Sequence, residues 1–179
     1  MKKWCLLFSA AAVSVLFASA LFGVDTKDTR LMHQPAVHGS RIAFVYAGDI
    51  WTSMKDGSGV RRITTHNGNE VNPVFSPDGE MIAFSGEYDG NTDVYVMPAE
   101  GGVPRRLTFH PGSDMVQGFT PGGTAVLFRS SRSSYTNRYS QLFTVDIDGG
   151  FPEKLKIPHA YKAAYSPDGS RIAYVPLYE

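Results

Sequence analysis

PVFSPDGEMIAFSGEYDGNTDVYVMPAEGGVPRRLT, from Pro73 to Thr108, decides the fold. It reads as four short strands separated by three turns. A strand ending at Phe75 meets Ser76-Pro77-Asp78-Gly79. Proline presets one corner of that turn, aspartate can bond backbone amides, and glycine accepts the left-handed position. A second strand, Met81–Gly86, and a third, Val94–Met97, flank a polar loop. A Gly-Gly hairpin then leads to the polar fourth strand, Arg105-Arg106-Leu107-Thr108.

The phrase recurs. Gly39, Gly79, Gly123 and Gly169 stand 40, 44 and 46 residues apart. Three positions after each comes Ile42, Ile82, Val126 or Ile172, and two further on Phe44, Phe84, Phe128 or Tyr174. First strands are expected at Asn72–Phe75, Val116–Phe119 and Lys162–Tyr165. Second strands fall at Arg41–Tyr46, Met81–Gly86, Ala125–Ser130 and Arg171–Val175. Third strands fall at Ile50–Met54, Val94–Met97 and Leu142–Ile147, and fourth strands at 61–64, 105–108 and 153–156. The opening copy, Val37-His38-Gly39, keeps only the turn glycine. Periods of this size with several strands per unit indicate propeller blades. The expected fold is all-β, an incomplete β-propeller of four-stranded antiparallel blades. About three and a half blades are present, read as part of a six-bladed ring, with limits near 31–68, 69–112, 113–159 and 160–179. A closed ring needs about four to eight blades, so the chain reads as the N-terminal part of a longer protein.

Residues 1–20 read differently. Lys2 and Lys3 precede an uncharged apolar run from Trp4 to Phe22, and Ala18-Ser19-Ala20 offers a small-x-small cleavage pattern. This is the pattern of a secretory signal, followed by a linker at 21–30; an uncleaved anchor is the alternative. Export to the periplasm or the extracellular space follows. Cys5 lies in the signal, which leaves the mature chain without a thiol. Lysine plus arginine number 17 against 17 acidic residues, and loss of Lys2 and Lys3 leaves a formal charge of −2. That balance points to neither nucleic acid nor, after cleavage, a membrane as partner.

No catalytic constellation, cofactor motif or metal motif is legible. His66, His110 and His159 each follow a fourth strand, which the repeat explains; His33 and His38 have no carboxylate close in sequence. The paired arginines of the fourth strands read as charges that blunt an open sheet edge, with a binding patch as the alternative. The individual segments are the loops joining second to third strands. One offers Glu87, Tyr88, Asp89, Asn91 and Asp93, the other Arg132, Tyr135 and Arg138, as candidate ligand or domain contacts. Glu87, Asp89 and Asp93 would supply oxygens for a hard cation, although calcium loops need more ligands.

The order SPDG-x-x-IAF, aromatic third strand and GG-x-P-x-RLT resembles the repeats of TolB-like proteins, prolyl oligopeptidase relatives and tricorn protease. AFVYAGDIWT at 43–52, FSGEYDGNTDVYVMPAEGGVPRRLTFHPG at 84–112 and VLFRSSRSS at 126–134 are most similar to the opening propeller of bacterial tricorn homologues. That resemblance implies a parent serine peptidase with a second propeller, a PDZ-like domain and a C-terminal catalytic unit. It implies peptides or unfolded polypeptide as partners, beside the remaining blades and a possible homo-oligomer, with the propeller gating or positioning substrates. It carries no catalytic residue into this chain. A non-enzymatic TolB-like protein-binding platform is the alternative, and an oligopeptidase with an α/β-hydrolase domain a third.

Overall fold

The computed structural model describes residues 31–135 and 138–178. The expected signal and linker, and Thr136, Asn137 and Glu179, lie outside the described residues. Among the described residues fourteen strands form three four-stranded antiparallel sheets and one two-stranded sheet, each in simple up-and-down order. The first sheet comprises β1 (Met32–His38), β2 (Arg41–Tyr46), β3 (Asp49–Met54) and β4 (Arg61–Arg62). The second comprises β5 (Glu70–Phe75), β6 (Met81–Glu87), β7 (Thr92–Pro98) and β8 (Arg105–Arg106). The third comprises β9 (Asp114–Phe119), β10 (Ala125–Ser130), β11 (Gln141–Asp146) and β12 (Glu153–Lys154). β13 (Ala160–Tyr165) and β14 (Ile172–Pro176) form the last.

No sheet closes on itself, so the core lies between sheets, and the alternation along each strand decides which neighbour a side chain meets. On β6, Ile82 and Phe84 point to the first sheet and meet Ala43 and Ile50, while Ala83 points to the third. On β10, Phe128 meets the second sheet and Leu127 the fourth. The recurring aliphatic and aromatic pair is therefore the surface each blade presents to the one before it. Phe84 stacks on Tyr95, and Phe128 on Phe143, with ring centroids 5.6 and 5.7 Å apart.

The turns follow their sequence. Asp78 accepts from the Ser76 hydroxyl and the Glu80 amide, which holds its carboxyl below the usual range, and Gly79 has φ 77°. Ser166, Asp168 and Gly169 repeat that arrangement. The opening copy is instead a two-residue hairpin, with His38 paired to Arg41 and φ 55° at Gly39.

Several boundaries differ from expectation by one or two residues, β7 for example beginning at Thr92, and two of the shifts recur from blade to blade. First strands begin two residues earlier, at Glu70, Asp114 and Ala160. Fourth strands are two residues long, and in the first two blades the threonine leaves the ladder. The Ile50 amide donates to Thr64 Oγ1 at 2.8 Å, and the Val94 amide to Thr108 Oγ1 at 3.0 Å. A hydroxyl thus replaces the backbone carbonyl that a longer strand would have supplied.

Candidate functional site

The first strands β1, β5, β9 and β13 are the inner edges of successive sheets. Together with part of β14 they line one concave channel of about 670 Å³. A bulge interrupts every one of these strands. Gln34-Pro35 and Asn72-Pro73 make the first two, with φ 52° at Gln34 and 54° at Asn72. A bulge sets one residue outside the ladder and frees its backbone groups. Side chains from the preceding inner strand reach across: the freed Asn72 amide donates to Gln34 Oε1 at 2.7 Å, and the Ala163 amide, just beyond the β13 bulge, donates to Gln117 Oε1 at 3.3 Å. The channel wall also carries Arg129, Tyr161 and Lys162.

Around one mouth run the loops that join second to third strands and one sheet to the next. The Glu87 amide donates to the Asn69 carbonyl, and Asn91 Nδ2 donates to the His110 carbonyl. His66 and His110 serve the connections themselves. Each Nδ1 accepts a backbone amide at 2.9 Å, from Gly68 and Gly112.

The candidate loop residues divide sharply. Asp93 is buried and bound by Arg106, by Thr108 Oγ1 and by Asn91. Arg106 also takes Asp89 at 2.8 Å, so the two aspartates converge on a guanidinium. Among the described residues no group of three or more histidine, cysteine or acidic side chains is placed to hold a metal ion. Tyr88 lies half-buried against His66 and Tyr95. Arg132 reaches Asp114 and sits over Phe128 and Phe143. Glu87, Tyr135 and Arg138 are exposed on the rim.

The paired arginines have two separate tasks. The second of each pair closes its own blade: Arg62 binds Asp49 at 2.7 Å and Arg106 binds Asp93 at 2.6 Å. The first reaches the hairpin of the next blade, Arg61 to Glu100 and Arg105 to Asp148 and the Ile147 carbonyl.

Two acids that sequence reasoning passed over form the joints between blades. Glu70 and Asp114 are fully buried at the start of β5 and β9. Thr64 Oγ1 donates to Glu70 Oε2 at 2.9 Å, while Glu70 Oε1 and Asp114 Oδ1 have no protein partner. Each acid stands six residues after the threonine of Arg-Ile-Thr or Arg-Leu-Thr, a spacing that was available as a signal. In the third blade, where Lys156 replaces threonine, Ala160 replaces the acid and bonds Ser140 instead.

Burial pushes the Glu70 carboxyl up to about 7, against weaker opposition from the Thr64 and Tyr88 hydroxyls. Its unfolded-state value is near 4.5. A raised acid costs nothing below the unfolded value and its full desolvation above the folded one. Stability should therefore fall as pH rises from 4.5 through 7, by roughly 3 kcal/mol. Urea unfolding across that window should show the slope, and Glu70→Gln should flatten it.

Residues 29–179 match the tricorn protease N-terminal beta propeller domain family. This chain belongs to that family. Among curated relatives, Tricorn protease homolog 1 of Streptomyces coelicolor is 36% identical over 64 residues, covering 36% of this chain and 6% of that protein. The Tol-Pal system protein TolB of Desulfosudis oleivorans is 32% identical over 71 residues, 37% of this chain and 16% of that one. The crystal structure of the tricorn protease superposes with a TM-score of 0.68 at 29% identity, over 78% of this chain and 14% of that chain. A putative TolB from Agrobacterium tumefaciens gives 0.69 at 24% identity, over 80% and 53%. This tricorn-type propeller segment thus spans a small part of the tricorn proteins it matches, and about half of a TolB chain. The propeller architecture expected from the repeat is what these neighbours share.

Proposed function

We propose that these blades gate and position peptide substrates for a serine peptidase unit outside this chain, in an exported tricorn-type protein. The observation that carries the reading is the channel. Inner strands of all four sheets converge on it, and its wall presents amides, tyrosines and cations at spacings set by rigid sheets. Rigid walls with side-chain amides suit extended polypeptide, whose backbone groups need partners at regular intervals. The rim residues Glu87, Asp89, Tyr135 and Arg138 would meet the peptide or an adjoining domain first. Export rests on Lys2, Lys3, the apolar run and Ala18-Ser19-Ala20.

Deleting the blades from the parent peptidase tests the division of labour. The set of peptides cut should change, while the active-site serine still labels with a fluorophosphonate. Loss of labelling in a folded deletion variant would place catalytic parts in the propeller and end this reading.

The match to a Tol-Pal system protein favours a second reading, a non-enzymatic platform that binds folded proteins. The sequence encoded after Glu179 separates them: a PDZ-like domain and a peptidase unit fit the first, a stop soon after a sixth blade the second.

A further inference from the structure

Six of the nine arginines among the described residues are matched to carboxylates; Arg129, Arg138 and Arg171 are not. Arg41, Arg61, Arg62, Arg105, Arg106 and Arg132 each bind an aspartate or glutamate. Arg129 does not. Its guanidinium lies over the Tyr161 ring, 4.6 Å from the centroid, inside the channel. Lys162 is exposed on the adjacent inner strand and likewise binds no carboxylate among the described residues. Among the described residues no aspartate or glutamate lines the channel.

The acids of that end are elsewhere. Glu70 and Glu87 line a separate cavity of about 390 Å³ with His33 and Asn69, between the first two sheets. Arg129, by contrast, also lines a cavity of about 400 Å³ with Gly112, Ser113 and Ser131. It therefore stands where the channel meets the rim. Two unneutralised cations in a concave wall focus a positive potential along the path a ligand would follow. Side-chain amides of the same wall already accept peptide N–H groups, as Gln34 does from Asn72 and Gln117 from Ala163.

We infer that the channel selects extended acidic peptides, with Arg129 and Lys162 as the residues that read their carboxylates. The inference rests on the proposed peptide channel and goes beyond it in assigning the substrate's charge.

The test is fluorescence anisotropy of labelled ten-residue peptides against the full chain, in three versions that differ only in carrying glutamate, glutamine or lysine. The glutamate peptide should bind about tenfold tighter than the lysine peptide, and added salt should shrink the difference. Arg129→Gln with Lys162→Gln should erase the preference, while Arg129→Lys should keep it. Lys162→Gln alone, at an exposed position, gives a partial loss without risk to folding. Equal binding of the three peptides would overturn the selectivity and leave the channel reading intact. Failure of every peptide to bind would overturn both. An oligogalacturonate of equal charge that binds more tightly than the glutamate peptide would show that peptide is the wrong class of anion.

Discussion

Replacing Arg132 by alanine should lower the unfolding free energy by about 3–5 kcal/mol, the usual cost of stranding a buried charge. Asp114 is fully buried beneath it, and burial already raises that carboxyl above its ordinary range. One of its oxygens has no partner even with Arg132 in place. The guanidinium also covers the Phe128 and Phe143 rings, at 5.1 and 5.2 Å. Truncation removes the counter-charge and the cover together. Without the arginine the carboxyl holds its proton more tightly, so the loss should be larger at pH 8 than at pH 5. Asp114→Asn in the Arg132→Ala background should recover part of it. Urea midpoints of the three proteins measure this. An unchanged midpoint for Arg132→Ala would mean the pair is solvated and the joint is held by apolar contacts alone.

Gly68→Ala should cost at least about 2 kcal/mol, at the upper end of what overpacking does. An added Cβ would stand 1.6 Å from the Glu87 carbonyl oxygen. Both groups are backbone, so no rotamer change can relieve the clash. The Glu87 amide also bonds the Asn69 carbonyl, which ties the two loops together at that point. Relief requires opening the joint between the first and second blades. Gly112 occupies the equivalent place one blade later and supplies the control. Its nearest obstacles are side-chain atoms, His110 Nδ1 at 3.1 Å and Ser131 Oγ at 3.3 Å. Gly112→Ala should cost under about 1 kcal/mol by the same reasoning. Thermal melts of the two variants, side by side, decide it; equal shifts would show that the first loop yields easily.

The repeat was legible because turns and blade faces impose strong local demands. A left-handed corner wants glycine, as at Gly79 and Gly169, and a face pressed on its neighbour wants Ile82 and Phe84. The joints were less legible, since burial there is made by the neighbouring blade and not by the strand itself. Glu70 and Asp114 look like loop residues until β1–β4 or β5–β8 closes over them. In the first two blades the fourth strand was read too long because Thr64 and Thr108 suit a strand by propensity, yet their hydroxyls satisfy the third strand directly. The paired arginines resembled an edge decoration. Only the three-dimensional arrangement separates Arg106, which closes its blade, from Arg105, which reaches the next one. Of the candidate contacts, Asp93 and Arg132 serve the blade, and Glu87, Tyr135 and Arg138 remain open to solvent. Spacing alone could not divide them, because both kinds share one loop.

Photo-crosslinking tests the peptide channel most directly. p-Benzoylphenylalanine placed at Tyr161, on the channel wall, should capture a labelled extended peptide, and the unlabelled peptide should compete. The same group at Lys154, on the outermost strand β12, should capture little. Equal capture at both positions, or capture at Lys154 alone, would contradict a peptide path along the inner strands.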